Sequence, residues 1–134
     1  MSQENVEIVR RASRFWIERD FSQMTELLDP EVVIDLSRNV FNPDVYRGYD
    51  GVKRYVQAVD EMWDKFEARI EEVIDAGDTV VTSTRISGVG RGSGVQADMQ
   101  LFQVVTLRDG RVLQVTGGYR DRAEALEAAG LKDR

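Results

Sequence analysis

Histidine and cysteine are both absent from this 134-residue chain, and proline occurs only twice. Those absences remove the usual ligands of zinc, haem iron and iron–sulfur clusters, so no metal or other cofactor is expected. Neither a Ser-His-Asp triad nor a Cys-His pair can be assembled. Any acid–base chemistry falls to Asp, Glu, Lys or Tyr, with Arg, Gln or backbone N–H groups holding developing charge. No apolar run approaches the ~18 residues that span a bilayer, and no membrane partner is expected. Cations are outnumbered, 18 Lys and Arg against 24 Asp and Glu, for a net charge of −6. Affinity for a phosphate backbone comes from clustered Lys and Arg, so this balance argues against nucleic acid. The opening MSQENVEIVRRAS is charged from the start and lacks the apolar stretch of a secretory signal. A cytoplasmic location is the expectation.

What remains is an ordinary globular composition, 42% hydrophobic and 31% charged, which suits one folded domain over residues 1–134. Ser2 is a plausible N-cap, and Ile8/Val9, Ala12 and Phe15/Trp16 recur at helical spacing to about Arg19. Asp20 caps a second short helix, with Gln23 at the capping-box position and Asp29-Pro30 as its stop. Glu31 to Ser37 alternates as a strand, with Val32, Ile34 and Leu36 on one face and Val33 and Asp35 on the other. RNVFNPDVYRGYDG reads as a loop carrying Phe41, Tyr46 and Tyr49. Asp50 then caps a third helix with Val52, Tyr55/Val56, Val59 and Met62/Trp63 inward. From about Phe66 the period drops to two, and Val73-Ile74 breaks it as a bulge would. Strands follow over Thr79 to Ser87, Val95 to Leu107 and Arg111 to about Tyr119, the last two joined by a tight Arg108-Asp109-Gly110 turn. Asp121 and Glu124 make a second capping box before a helix that stops at Gly130. Early helices and late hairpins make this an α+β arrangement.

A symmetric hairpin about GVGRGSG puts Arg85 opposite Asp98, Ser83 opposite Gln100 and Val81 opposite Phe102 on one face. The other face carries Thr82, Thr84 and Ile86 beside Met99, Leu101 and Gln103, an apolar wall with one amide that suits a ligand pocket. GVGRGSG is no phosphate loop, because a strand follows it instead of a helix N-terminus.

The strings ERDFSQMTELLDPEVVIDLS, YRGYDGVKRYV, VTLRDGRVLQV and YRDRAEALEAAGL span nearly the whole chain. Through them it resembles the SnoaL-like branch of the nuclear transport factor 2-like superfamily. The resemblance implies a cone, three N-terminal helices over a strongly curved antiparallel sheet with a short C-terminal helix. It also implies a homodimer through the outer sheet face. The family includes polyketide cyclases, ketosteroid isomerases, epoxide hydrolases, dehydratases and members without known activity, so fold alone does not give reaction. Where isomerase-like relatives place a helix-one tyrosine, this chain has Ala12. Leu36 stands at the position of their strand base, with Asp35 one residue away and therefore on the opposite face. Gln103 stands in place of their protonated carboxyl. Arg85 and Asp98 invite an epoxide-hydrolase reading, but that relative carries its pair on one strand, and a cross-strand ion pair accounts for them here.

The expected partner is a small, mostly apolar molecule. Trp16, Tyr55, Trp63, Met99, Leu101, Gln103 and Tyr119 are the candidate ligand contacts. If chemistry occurs, Asp35 is the candidate to move a proton and Gln103 to hold developing charge on oxygen. A cofactor-free cyclase, isomerase or dehydratase and a non-catalytic ligand-binding or dimerisation module both stay open at this point.

Overall fold

The computed structural model describes residues 2–39 and 43–131. Helix α1 (Ser2–Ile17) buries Val9 and packs Val6, Ile8, Phe15 and Trp16 on the core. A left-handed Arg19, φ 64°, turns the chain, and the Asp20 carboxylate caps α2 (Phe21–Glu26) by accepting from Gln23 N. Strand β1 (Leu28–Asp35) begins before Glu31, so Pro30 lies inside a strand and does not end a helix. It is tolerated because the β1 ladder is broken between Leu28 and Val33, where no regular N–H is required.

The segment read as loop contains a three-residue strand, β2 (Val45–Arg47), paired antiparallel with β1. Phe41 lies outside the described residues. Helix α3 (Gly48–Met62) starts earlier than a cap at Asp50 implies: Arg47 occupies the cap position and Asp50 sits in the first turn. There its charge still faces the positive end of the helix dipole.

Four long strands complete the sheet: β3 (Trp63–Asp75), β4 (Thr79–Gly90), β5 (Gln96–Arg108) and β6 (Arg111–Tyr119). The order is β2-β1-β6-β5-β4-β3, antiparallel except where β1 runs beside β6. In β3 the register slips between Asp64 and Glu67 and between Ile70 and Glu72, slightly before the expected Val73-Ile74 bulge. Such extra residues bend a strand and increase its twist. Asp109 and Gly110, φ 53° and 77°, form the two-residue turn in which both centres must be left-handed.

The β4–β5 register differs from a symmetric hairpin. Ser83 pairs with Phe102 and Arg85 with Gln100, a slip of two residues. The turn is displaced toward β5, with Gly90 and Val95 bonded across it. A slip of two leaves every side chain on its expected face. Arg85 still reaches Asp98 diagonally at 3.2 Å, and also lies 3.8 Å from Glu71.

Each face has its own cluster. Val80 and Val105 point to the helices and join Val9, Val32 and Val52. Their neighbours Val81 and Val104 point the other way, onto Ala125 and Leu126 of helix α4 (Arg122–Ala128). Asp121 caps α4 by accepting from Glu124 N, while the Glu124 carboxylate accepts from Arg120 N instead of closing the box on Asp121.

Candidate functional site

The space between the inner sheet face and helices α1 and α3 is not filled. A cavity of about 1250 Å³ opens there, above the ~300–1,000 Å³ usual for small-molecule pockets. Helical periodicity builds one wall, from Val9, Ala12 and Trp16 on α1 and Val52, Tyr55 and Val59 on α3. Strand alternation builds the other, from Thr82, Thr84 and Ile86 on β4 and Met99, Leu101 and Gln103 on β5.

One side of the cavity is a continuous run of aromatic rings. Tyr46 meets Tyr55 edge-on at 5.5 Å, and Tyr55 stacks on Trp16 at 6.4 Å with 22° between planes. Trp16 meets Phe66 edge-on at 5.3 Å, and Phe66 lies 6.4 Å from Trp63. Ile17, Met62 and Met99 line the same cavity yet are 40%, 36% and 38% exposed, so apolar surface continues out to its rim. The β4–β5 turn closes on that rim through Arg91, whose Nε donates to Asp60 O and whose Nη2 donates to Trp63 O, both at 3.0 Å.

The polar groups of the lining are mostly neutral. Burial pushes the Tyr55 hydroxyl up to about 12, with the nearby Tyr46 adding to the rise. Burial and then Asp44 raise Tyr46, against the opposing pull of Arg54, whose guanidinium lies 5.3 Å from the ring centroid. Gln103 sits against Gly117, where a Cβ would stand 2.9 Å from Leu36 Cδ2 and 3.7 Å from the Gln103 amide nitrogen. Asp44 and Glu61 are the carboxylates of the lining, and both are exposed. Among the described residues no group of three or more His, Cys, Asp or Glu side chains is arranged to hold a metal ion.

Six of the expected contacts, Trp16, Tyr55, Trp63, Met99, Leu101 and Gln103, meet on this cavity. Asp35 and Tyr119 are not among its lining residues. Asp35 lies between inward Ile34 and Leu36, and its carboxylate instead accepts from Ser37 Oγ at 2.6 Å and Ser37 N at 3.0 Å. Those bonds hold the carboxyl below its ordinary value of 3.8, against the opposing effect of burial. Tyr119 packs with the α4 cluster, and the Arg38 guanidinium lies 4.7 Å from its ring centroid. The reason is a bulge: Val104 pairs with Thr116 but Phe102 with Tyr119, so Gly117 and Gly118 oppose one residue and the alternation reverses. Gly118, φ 84°, supplies the left-handed backbone this needs. Tyr46 was legible only as a loop aromatic; its place on the wall depends on β2.

Residues 9–115 match the family model described as a SnoaL-like domain. The chain belongs to the SnoaL-like domain family. Solved structures agree on the fold, which is nuclear transport factor 2-like. A protein of unknown function from Burkholderia pseudomallei is 20% identical, with TM-score 0.75 over 92% of this SnoaL-like chain and 95% of that one. TerC, co-crystallized with polyporic acid, is 18% identical, with TM-score 0.74 over 95% and 98%. A putative SnoaL-like polyketide cyclase from Jannaschia sp. CCS1 is 23% identical, with TM-score 0.70 over 86% and 84%. No functionally curated protein matches this SnoaL-like sequence. No helix among the described residues is long and apolar enough to cross a membrane.

Proposed function

We propose that this SnoaL-like protein binds one small, mostly apolar, ring-bearing molecule between its helices and its sheet. The observation that carries this reading is the unbroken aromatic wall from Tyr46 to Trp63 along a cavity of about 1250 Å³. Rings that only filled a core would be covered on both faces by close packing. Here they border open space, and that surface attracts apolar ligands by the area it removes from water. The co-crystal of TerC with polyporic acid supports the reading by analogy of fold.

Binding without acid–base chemistry is the form the residues favour. Asp35 is directed away from the cavity and engaged by Ser37, and a phenol at about 12 is no base at neutral pH. Gln103 offers an amide, which orients a ligand but does not cycle protons.

The test uses a neutral fluorescent naphthyl ketone, 6-propionyl-2-dimethylaminonaphthalene. Its emission shifts to the blue on saturable one-to-one binding, and Thr84→Trp, which places an indole in the cavity, abolishes the shift. An unshifted spectrum with the parent protein, or an undiminished one with Thr84→Trp, overturns the proposal. We also propose that two copies pair through the outer face of β4 and β5, where Gln100 bridges Ser83 and Glu71. Equilibrium sedimentation giving a monomer at micromolar concentration refutes that pairing.

A further inference from the structure

The cavity contains a hydroxyl that the fold does not use. Tyr55 Oη makes no hydrogen bond to any described residue, although the Tyr55 ring lines the cavity. A phenolic O–H that no described residue engages is left for whatever enters the cavity. This hydroxyl is also open to the space. Among the described residues, the polar side-chain atoms sealed from solvent without a partner are Trp16 Nε1 and Thr79 Oγ1. Tyr55 Oη is not one of them.

The surroundings define what it can meet. Trp16 lies nearly parallel to the Tyr55 ring and Tyr46 stands against it edge-on, so its orientation is set by packing before any ligand arrives. Burial keeps it a neutral phenol through the physiological range. Among the described residues, no uncommitted charged side chain lines the depth of the cavity. Arg91 is committed to the carbonyls of Asp60 and Trp63, and the lining carboxylates Asp44 and Glu61 are exposed. Gln103 faces the same space from the sheet, its side-chain amide likewise making no hydrogen bond to a described residue. Neutral groups on both walls, the Tyr55 hydroxyl on one and the Gln103 amide with the Thr82 and Thr84 side chains on the other, suit a neutral oxygen acceptor better than an anion.

We infer that Tyr55 is a specificity-determining residue, its hydroxyl donating to a neutral carbonyl-type oxygen on a flat ring system held along the aromatic wall. The inference rests on the ligand-binding reading above and adds to it the chemical class of the occupant.

The experiment compares two probes of the same shape, 2-acetylnaphthalene and the hydrocarbon 2-isopropenylnaphthalene, by calorimetry or displacement of the fluorescent ketone. Tyr55→Phe weakens the ketone about tenfold, the worth of one hydrogen bond plus a stranded acceptor, and leaves the hydrocarbon within about twofold. Because the hydroxyl has no hydrogen-bond partner among the described residues, Tyr55→Phe also unfolds at the same or a higher urea concentration. Equal losses for both probes, or no loss for either, overturn the donor role while the binding reading stands. A lower urea midpoint overturns it too, since the hydroxyl would then serve the fold. Failure of both probes to bind the parent protein overturns the binding reading and this inference with it.

Discussion

Gly51 is where helix α3 touches β2, and replacing it with alanine tests how the aromatic wall is held. A Cβ at this position would lie 2.8 Å from the Tyr46 carbonyl carbon, 3.2 Å from its Cα and 3.3 Å from its Cβ. Two of those atoms are backbone, so no rotamer change relieves the contact; the helix and the strand must separate. Overpacking of this kind costs about 1–3 kcal/mol. Against it stands the better helix propensity of alanine, worth about 0.8–1.0 kcal/mol over glycine. The steric effect exceeds propensity over most of that range, leaving Gly51→Ala less stable by up to about 2 kcal/mol. Urea denaturation at constant m-value measures the loss as a lower midpoint. Because Tyr46 packs edge-on against Tyr55, the same variant binds the fluorescent ketone more weakly. A midpoint above that of the parent protein would refute the reasoning, for it would mean that the helix and strand separate at no cost.

Two further outcomes follow from the placement of other residues. Asp35→Ala leaves probe affinity unchanged, because the carboxylate faces away from the cavity. Its folded-state value is depressed by Ser37, so the stabilisation it gives is complete above 3.8 and lost as pH falls through the lower folded value. The difference in urea midpoint between parent and Asp35→Ala is therefore present at neutral pH and disappears in acid; a constant difference would contradict the Ser37 bonds as its source. Arg91→Ala removes the two side-chain bonds from the β4–β5 turn to the end of α3, leaving the backbone bond from Arg91 N to Met62 O, and stopped-flow records faster release of the fluorescent ketone. An unchanged release rate would show that the probe leaves by another route.

Legibility in the sequence followed the range of the interaction. Caps at Asp20 and Asp121 and the turn at Asp109-Gly110 depend on residues within four positions, and they stand where the sequence put them. Two apolar stripes facing a common interior were also readable, because period fixes face; hence six of the seven expected contacts fall together. Two local signals misled, since Arg47 and not Asp50 holds the cap position of α3 and Pro30 lies inside β1; the other errors belong to pairing between distant segments. Strand β2 has three residues and no pattern of its own, and it exists because β1 offers an edge. The direction of Tyr119 was reversed by one bulge at Gly117-Gly118, which alternation within β6 cannot reveal. The Tyr55 hydroxyl was equally invisible as a special group, since only the packed fold shows that no described residue bonds it.

The parallel seam between the first and last strands has a consequence for how the chain matures. Ile34 aligns with Val115, so β1 has only a three-residue neighbour until β6, four strands later in the chain, has been made. Until then the seam of β1 stays open, and contacts of such long sequence separation form slowly. A ribosome stalled short of β6 would therefore hold a chain with two unpaired strand edges, β1 and β5, of the kind that chaperones bind.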